Sequence, residues 1–380
     1  HPAMRKPYPL LIGLAVFLVV LWTVPSMWCR RGAGEWFAGD RKTQAELATT
    51  VAAQIMQGLS LDDFHTQSEL FDGEWLFGTH LMAGIGFCQI VQQHPQDLEK
   101  WRPSIEVCIK QLLSPTVRAF DHKSWDRDAL ASLSAQDGHA AYLGYLNFLL
   151  GLYREIDPQN QFASLNDKLT ETLIRRVQAS PNRLIETYPG EWYPVDNSPG
   201  LASIAMHGRA TGADYTAFLA QQENLFRTRY IDPKTGLLAQ AINPNGSVRD
   251  IHRGSGTALS IFFLSRGCPK LAGEMYSGVR RNLASGIFNF GAVREFPRGV
   301  QGNGDIDSGP VIFGFGFSAT GFGIAGARAF GDERFFSSLY ASAILGGAPL
   351  RTRDGLDFLT AGPLGNAILL AMFTTPLVNP

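Results

Sequence analysis

Acids, aromatics and glycines crowd together in two stretches of this chain. One holds Glu186, Tyr188, Glu191, Trp192, Tyr193, Asp196 and Asn197; the other runs Gly302-Asn303-Gly304-Asp305-Ile306-Asp307-Ser308-Gly309-Pro310. Two carboxylates on either side of a C–O bond can divide the work of cleaving it. A neutral one protonates the leaving oxygen and an ionised one activates water. Glu191 or Asp196 is expected to fill one of these roles, and Asp305 or Asp307 the other. Alternate acids in a glycine-rich turn also suit Ca²⁺, but an EF-hand needs further ligands and a glutamate at its twelfth position, which this stretch lacks. Neither a metal nor a cofactor is therefore expected.

The expected substrate-binding residues are Glu74, Trp75, Trp125, His139, Tyr142, Tyr145, Trp192, Asn197 and His252. Each has a structural reading beside the functional one. Glu74 in a first helical turn complements the helix dipole, and Asn197 or Ser198 caps a helix. A single histidine such as His139 or His252 is most often a satisfied structural group. The tryptophans are less ordinary, because capping does not need an indole. Nucleophile elbow, P-loop and dinucleotide fingerprints are absent from the sequence. With 33 basic and 34 acidic residues, the net charge of −1 gives no footprint for nucleic acid.

Residues placed this way need elements that bring them to one face. Helix-period segments occur near 43–58, 74–93, 97–113, 138–154, 160–178, 197–209, 213–229, 254–266, 269–283, 316–330, 332–344 and 363–374. The connections alternate long and short, and the acids and tryptophans collect in the long ones. The even-numbered segments are apolar and rich in small residues all round, as buried helices are; the odd ones are amphipathic. Six such pairs predict an all-α fold, an (α/α)6 barrel with an inner and an outer ring and its long loops on one face. Gly84, Gly86, Gly144, Gly151, Gly321 and Gly323 each cost roughly 1 kcal/mol in helix propensity, and a crowded inner ring would explain them. A short hairpin is expected around Asn243-Pro244-Asn245-Gly246.

The first thirty residues stand apart. Leu10 to Trp28 holds no charged residue and is about as long as a membrane-spanning helix requires. It is long for a signal-peptide core and lacks a small-residue cleavage site, so an uncleaved anchor is expected. Arg5 and Lys6 favour a cytoplasmic N-terminus, against competition from Arg30 and Arg31. The expected organisation is a cytoplasmic segment 1–9, an anchor 10–28, a linker 29–42, a barrel 43–375 and a tail 376–380. The barrel would be extracytoplasmic (periplasmic), with room for an oligomeric or membrane-complex partner. Cys88 and Cys108 could pair in an oxidising compartment, though buried free thiols are the simpler expectation.

One family is similar in its motifs. Gly144-Tyr145-Leu146-Asn147-Phe148-Leu149-Leu150-Gly151-Leu152-Tyr153 resembles a stretch of linalool dehydratase/isomerase, and Ile231-Asp232-Pro233-Lys234-Thr235-Gly236 resembles its I-D-P-E-R-G turn. Asp305 to Gly309 and Gly331-Asp332-Glu333-Arg334-Phe335-Phe336 resemble two later segments. The order holds from about 138 to 345, while the first hundred residues match only in pattern. The resemblance implies an (α/α)6 barrel with a deep axial pocket. It does not carry over the family's catalytic set: Tyr145 stands at the histidine position, and Thr187 and Asp196 at the two cysteine positions. The carboxylate- and aromatic-lined face is also similar to that of (α/α)6 glycoside hydrolases and polysaccharide lyases, whose Trp and Tyr stack on sugars.

Three functions remain open on these grounds. The first is a membrane-anchored enzyme acting on a glycan or polyol, with Glu74 and His139 orienting an oligosaccharide or small-molecule substrate. The second is a cofactor-free lyase or isomerase of a hydroxylated hydrocarbon, with Tyr145 and Asp196 as acid and base. The third is a non-catalytic binding or scaffold subunit whose acids are caps.

Overall fold

A computed structural model describes residues 8–300, 302, 304–305, 308–353 and 355–378. Helix α1 (Tyr8–Cys29) and the short α2 (Ala33–Ala38) precede six helical pairs. In chain order these are α3 (Arg41–Gln57) with α4 (Glu69–Gln93), then α5 (Leu98–Leu112), the short α6 (Ala119–Trp125) and α7 (Ala140–Ile156). Next come α8 (Ala163–Ala179) with α9 (Pro194–Thr211), and α10 (Thr216–Leu225) with α11 (Gly254–Gly267). The last are α12 (Pro269–Asn282) with α13 (Phe317–Ala329), and α14 (Glu333–Gly347) with α15 (Gly362–Phe373).

The second helix of each pair belongs to an inner ring. α4 packs on α7, then α9, α11, α13 and α15 follow in turn, and α15 closes back on α4. The other six helices form the outer ring, so the fold is an (α/α)6 barrel. The inner helices bury nearly their whole surface: Leu76 to Val91 is almost continuously buried in α4, as is Leu143 to Tyr153 in α7, apart from Tyr145. Their small residues permit the close approach. A Cβ on Gly144 would lie 3.2 Å from the backbone of Gly200, and one on Gly86 would lie 2.6 Å from Leu370. Gly321 is different, because a Cβ there would meet nothing.

The last turns of α4, α7, α9 and α11 are tied together at the short-connection end. Glu155 accepts from Gln92 (3.0 Å), Arg209 (2.8 Å) and Arg266 (3.3 Å). The N-termini of the inner helices and the long loops lie at the other end.

Four antiparallel hairpins decorate the long loops: β1 (Ala239–Ile242) with β2 (Val248–His252), β3 (Ala284–Ile287) with β4 (Phe290–Val293), β5 (Val311–Ile312) with β6 (Phe315–Gly316), and β7 (Pro349–Thr352) with β8 (Gly355–Phe358). The first is the hairpin expected from the sequence; strands of two to four residues are too short to show alternation in the other three. α4 starts at Glu69 rather than near residue 74, because Ser68 caps it through the backbone N–H of Phe71. All four cysteines are free and buried.

Candidate functional site

Three carboxylates meet where the N-terminal ends of α4, α7 and α9 converge. Glu74 accepts a hydrogen bond from the Tyr188 hydroxyl, which reaches it from the loop before α9. Tyr145, on α7, donates to Asp196 in the first turn of α9 at 2.6 Å. Asp121, from α6, is bonded to His139 Nδ1 at 2.7 Å, and both side chains are buried. Burial pushes the Asp121 carboxyl above the usual carboxylate range, while the bond to His139 pulls it back. Tyr188 is bonded to Glu74 and feels the charges of the other two acids. Its burial, then the charge and hydrogen bond of Glu74, then the charges of Asp196 and Asp121, raise its pKa well above the tyrosine range. Its hydroxyl therefore stays protonated and donates.

The chain holds this cluster rigidly. The Asn197 side chain accepts from the backbone N–H of Ile185 (2.7 Å) and donates to the carbonyls of Ile185 (3.0 Å) and Tyr193 (3.1 Å). Asn197 thus clamps the loop that carries Tyr188. It is not the helix cap: α9 begins at Pro194, with Tyr193 at the N-cap position. Proline suits that first position because its missing N–H would be unsatisfied there anyway. The tip of the loop is a tight turn through Gly190, closed by Glu191 N–H on the Tyr188 carbonyl at 2.8 Å. Its base lies against Gly138, where any Cβ would be 2.2 Å from the Glu186 carbonyl oxygen.

His139 is the N-cap residue of α7 in left-handed conformation, φ 57°. Trp125 covers its ring at 4.7 Å between centroids, and the indole N–H donates to the Thr187 carbonyl at 3.4 Å. His139 Nε2 and Asp121 Oδ1 are buried without a hydrogen-bond partner among the described residues. A buried non-glycine residue held at positive φ beside orphaned polar atoms is a pattern that concentrates at working sites.

A second cluster stands at the start of α11. Glu295 is fully buried and accepts from Ser255 through both its hydroxyl (2.6 Å) and its backbone N–H (3.2 Å). Burial raises the Glu295 carboxyl pKa, against the pull of Ser255 and Arg253. Arg253 lies 3.6 Å from Glu295 and pairs with Asp305 at 2.7 Å. Asp305 also accepts from Ser308 N–H at 2.9 Å, closing a local turn. Asp307 lies outside the described residues. Among these residues no group of three or more His, Cys, Asp or Glu side chains could hold a metal ion.

The structure therefore brings together Glu74, Trp125, His139, Tyr145 and Asp196 from the residues expected on sequence grounds. Others sit elsewhere. Glu191 accepts from Tyr193 (2.9 Å), whose hydroxyl also accepts from Arg249 (3.3 Å). The Trp192 backbone bridges to Ile242. Tyr142 is buried with its hydroxyl on the Leu112 carbonyl at 2.9 Å, a packing role. His252 ends β2 opposite Ala239, its pKa lowered by burial. Trp75 is 37% exposed and meets Phe64 edge-on. Sequence reasoning missed Asp121, which lay in a stretch read as connection, and left Tyr188 among its neighbours without a role. It also missed Arg253 and Glu295.

No family model matches this chain, and no curated protein does. Solved structures do resemble it. An inactive variant of the α-1,6-mannanase GH76A of Salegentibacter sp. HEL1_6, in complex with α-1,6-mannotriose, superposes with a TM-score of 0.53 at 12% identity, covering 87% of this chain and 99% of that one. A family 105 glycoside hydrolase of C. acetobutylicum ATCC 824 gives a TM-score of 0.53 at 11% identity, covering 86% and 98%. The GH76 α-mannanase BT2949 of Bacteroides thetaiotaomicron gives 0.50 at 10%, covering 78% and 84%. At such identities these likenesses define the class of fold, an (α/α)6 barrel of the kind seen in glycoside hydrolases.

They also correct the resemblance to linalool dehydratase/isomerase, since the barrels found to be similar are glycoside hydrolases of families 76 and 105. The motifs that carried that resemblance have structural explanations. Residues 144–153 belong to α7, where Gly144 abuts α9. Residues 231–236 form a turn closed by Asp232, which accepts from the Thr235 hydroxyl at 2.6 Å. Such segments report on barrel packing rather than on chemistry.

Proposed function

We propose that this chain is a membrane-associated glycoside hydrolase acting on an oligosaccharide. The observation that carries the reading is the bond of Glu74 to Tyr188, a half-buried tyrosine that also feels the charges of Asp196 and Asp121, at the long-loop end of a barrel shared with glycoside hydrolases. Like charges gathered around a buried group resist simultaneous ionisation, so one acid of the set keeps its proton. Asp121 is bonded to His139, and burial raises its carboxyl pKa. Tyr145 donates to Asp196 as Tyr188 does to Glu74, so each carboxylate of the pair is held by a tyrosine. Asp196 and Glu74 then divide the work, one activating water while the other protonates the leaving oxygen. Trp75, exposed at the start of α4, offers a face on which a sugar ring can stack. Asp305, held by Arg253, contributes to substrate binding on the α11 side.

The test is turnover of a panel of oligosaccharides that includes α-1,6-mannotriose. Hydrolysis of one member is expected, with Asp196→Asn and Glu74→Gln each lowering kcat by about 10²–10⁴-fold at little change in KM. Undiminished kcat in both variants would reject the assignment. Saccharide binding without turnover in the parent protein would instead make the barrel a binding subunit.

α1 supports the membrane part of the reading: its apolar stretch is long enough to cross a bilayer and only 6% buried. With Arg5 and Lys6 retained on the cytoplasmic side, the barrel lies outside the cytoplasm. A reporter fused after Pro380 that is active only when exported checks this orientation.

A further inference from the structure

We infer that the β3–β4 hairpin is a second membrane contact, its tip seated in the bilayer beside α1, so that the barrel is docked on the membrane rather than hung from it. The inference rests on the proposed membrane anchoring of α1. Ile287 and Phe288 at the tip are 45% and 43% exposed. The tip adjoins the exposed apolar helix. Phe288 meets Trp22 edge-on at 5.1 Å between ring centroids, and Arg30 donates to the Asn289 carbonyl at 2.7 Å.

These two contacts fix a depth. Trp22 lies six residues inside the end of the apolar stretch at Trp28, roughly 9 Å along a helix. Side chains at that level reach the boundary between headgroups and acyl chains, where interfacial segments bind. Arg30, and Arg31 stacked on Trp28 at 3.8 Å, then lie at headgroup level. Arginine and tryptophan are suited to that zone.

The hairpin is also held in place. Phe288 and Asn289 both have positive φ, 50° and 64°, the turn that matches strand twist in a two-residue hairpin. Gly291 lies so close to α14 that a Cβ would come within 2.3 Å of Ser338 Oγ, and Ser342 donates to the Gly291 carbonyl at 2.5 Å. Ser26 and Cys29, at the domain end of α1, are buried. Helix, hairpin and α14 thus form one packed unit presenting a single apolar edge. The occupant that fits an edge continuous with a membrane-spanning segment is the lipid bilayer.

The test uses the full chain reconstituted in vesicles of phosphatidylcholine and phosphatidylglycerol. An environment-sensitive fluorophore is placed on Ile287→Cys and, as control, on Lys168→Cys of α8, across the ring from α14. The native cysteines are buried and leave these sites selective. Spin-labelled lipid is expected to quench the label at 287 by about two-fold or more while leaving the one at 168 unchanged. Adding Phe288→Asp should return the label at 287 towards the aqueous signal. Co-flotation with vesicles but equal aqueous signals at 287 and 168 would overturn the docking and leave the anchor standing. A label at 287 shielded from aqueous iodide yet untouched by lipid quencher would overturn it in favour of a second copy of the chain. Failure to co-float at all would overturn anchor and docking together.

Discussion

His80 and His139 show what burial does to one residue type. His80 is buried in α4 with neither ring nitrogen bonded among the described residues, and desolvation lowers its pKa from 6.5 to about 4. A depressed histidine pKa favours the fold while the ring is neutral. That contribution is complete above pH 6.5 and fades as pH falls towards 4. By pH 5 the loss is about 2 kcal/mol. Urea unfolding at pH 8 and pH 5 should show it, and His80→Leu should remove most of the difference, because no hydrogen bond is lost with the ring. His139, also buried, is bonded to Asp121. Asp121→Asn is expected to cost about 1–3 kcal/mol in the same assay. Tyr145→Phe should leave stability within about 1 kcal/mol but lower kcat, since it removes the donor that holds Asp196 in place. Unchanged kcat with a falling urea midpoint would make the Tyr145–Asp196 bond purely structural. Glu74, Tyr145 and Asp196 could be singled out in the sequence. Tyr145 and Asp196 could even be paired there; the bonds Tyr188–Glu74 and His139–Asp121 could not, because these partners lie 114 and 18 residues apart along the chain.

Among the elements, the inner helices separate packing from propensity. Gly144→Ala would press a methyl group onto the backbone of α9 and should destabilise the barrel by about 1–3 kcal/mol. Gly321→Ala meets open space and should stabilise it by roughly 0.5–1 kcal/mol, the helix-propensity gain alone. Thermal melting of both variants checks the contrast, and equal shifts would count against a crowded ring as the cause. The sequence showed six glycines in need of a packing reason. Whether a neighbour stood opposite each depended on the register of adjacent helices, which no local pattern encodes.

At the scale of the whole molecule, alternating connections divide the labour between the barrel's two ends. The short-connection end is closed by polar groups around Glu155, and the long loops carry the carboxylates at the other. The apolar edge of α1 and the β3–β4 hairpin lies on the flank, against α14. If this edge meets lipid, the barrel lies with its side to the bilayer, and replacing both tip residues by Asp should leave oligosaccharide turnover in detergent within about two-fold, with membrane retention still provided by α1. Loss of turnover without any change in retention would contradict that division.

The twelve helical segments, their order and their inner or outer character followed from the sequence alone, because hydrophobic periodicity is local and each helix carries its own pattern. So did the apolar character of α1. Only the tertiary structure decided which acids meet. Glu191 and Asp196 are five positions apart, yet Glu191 turns to Tyr193 while Asp196 joins Tyr145 near Glu74 and Asp121. Charge interactions and burial depend on distance through space, and that distance is set when the ring closes.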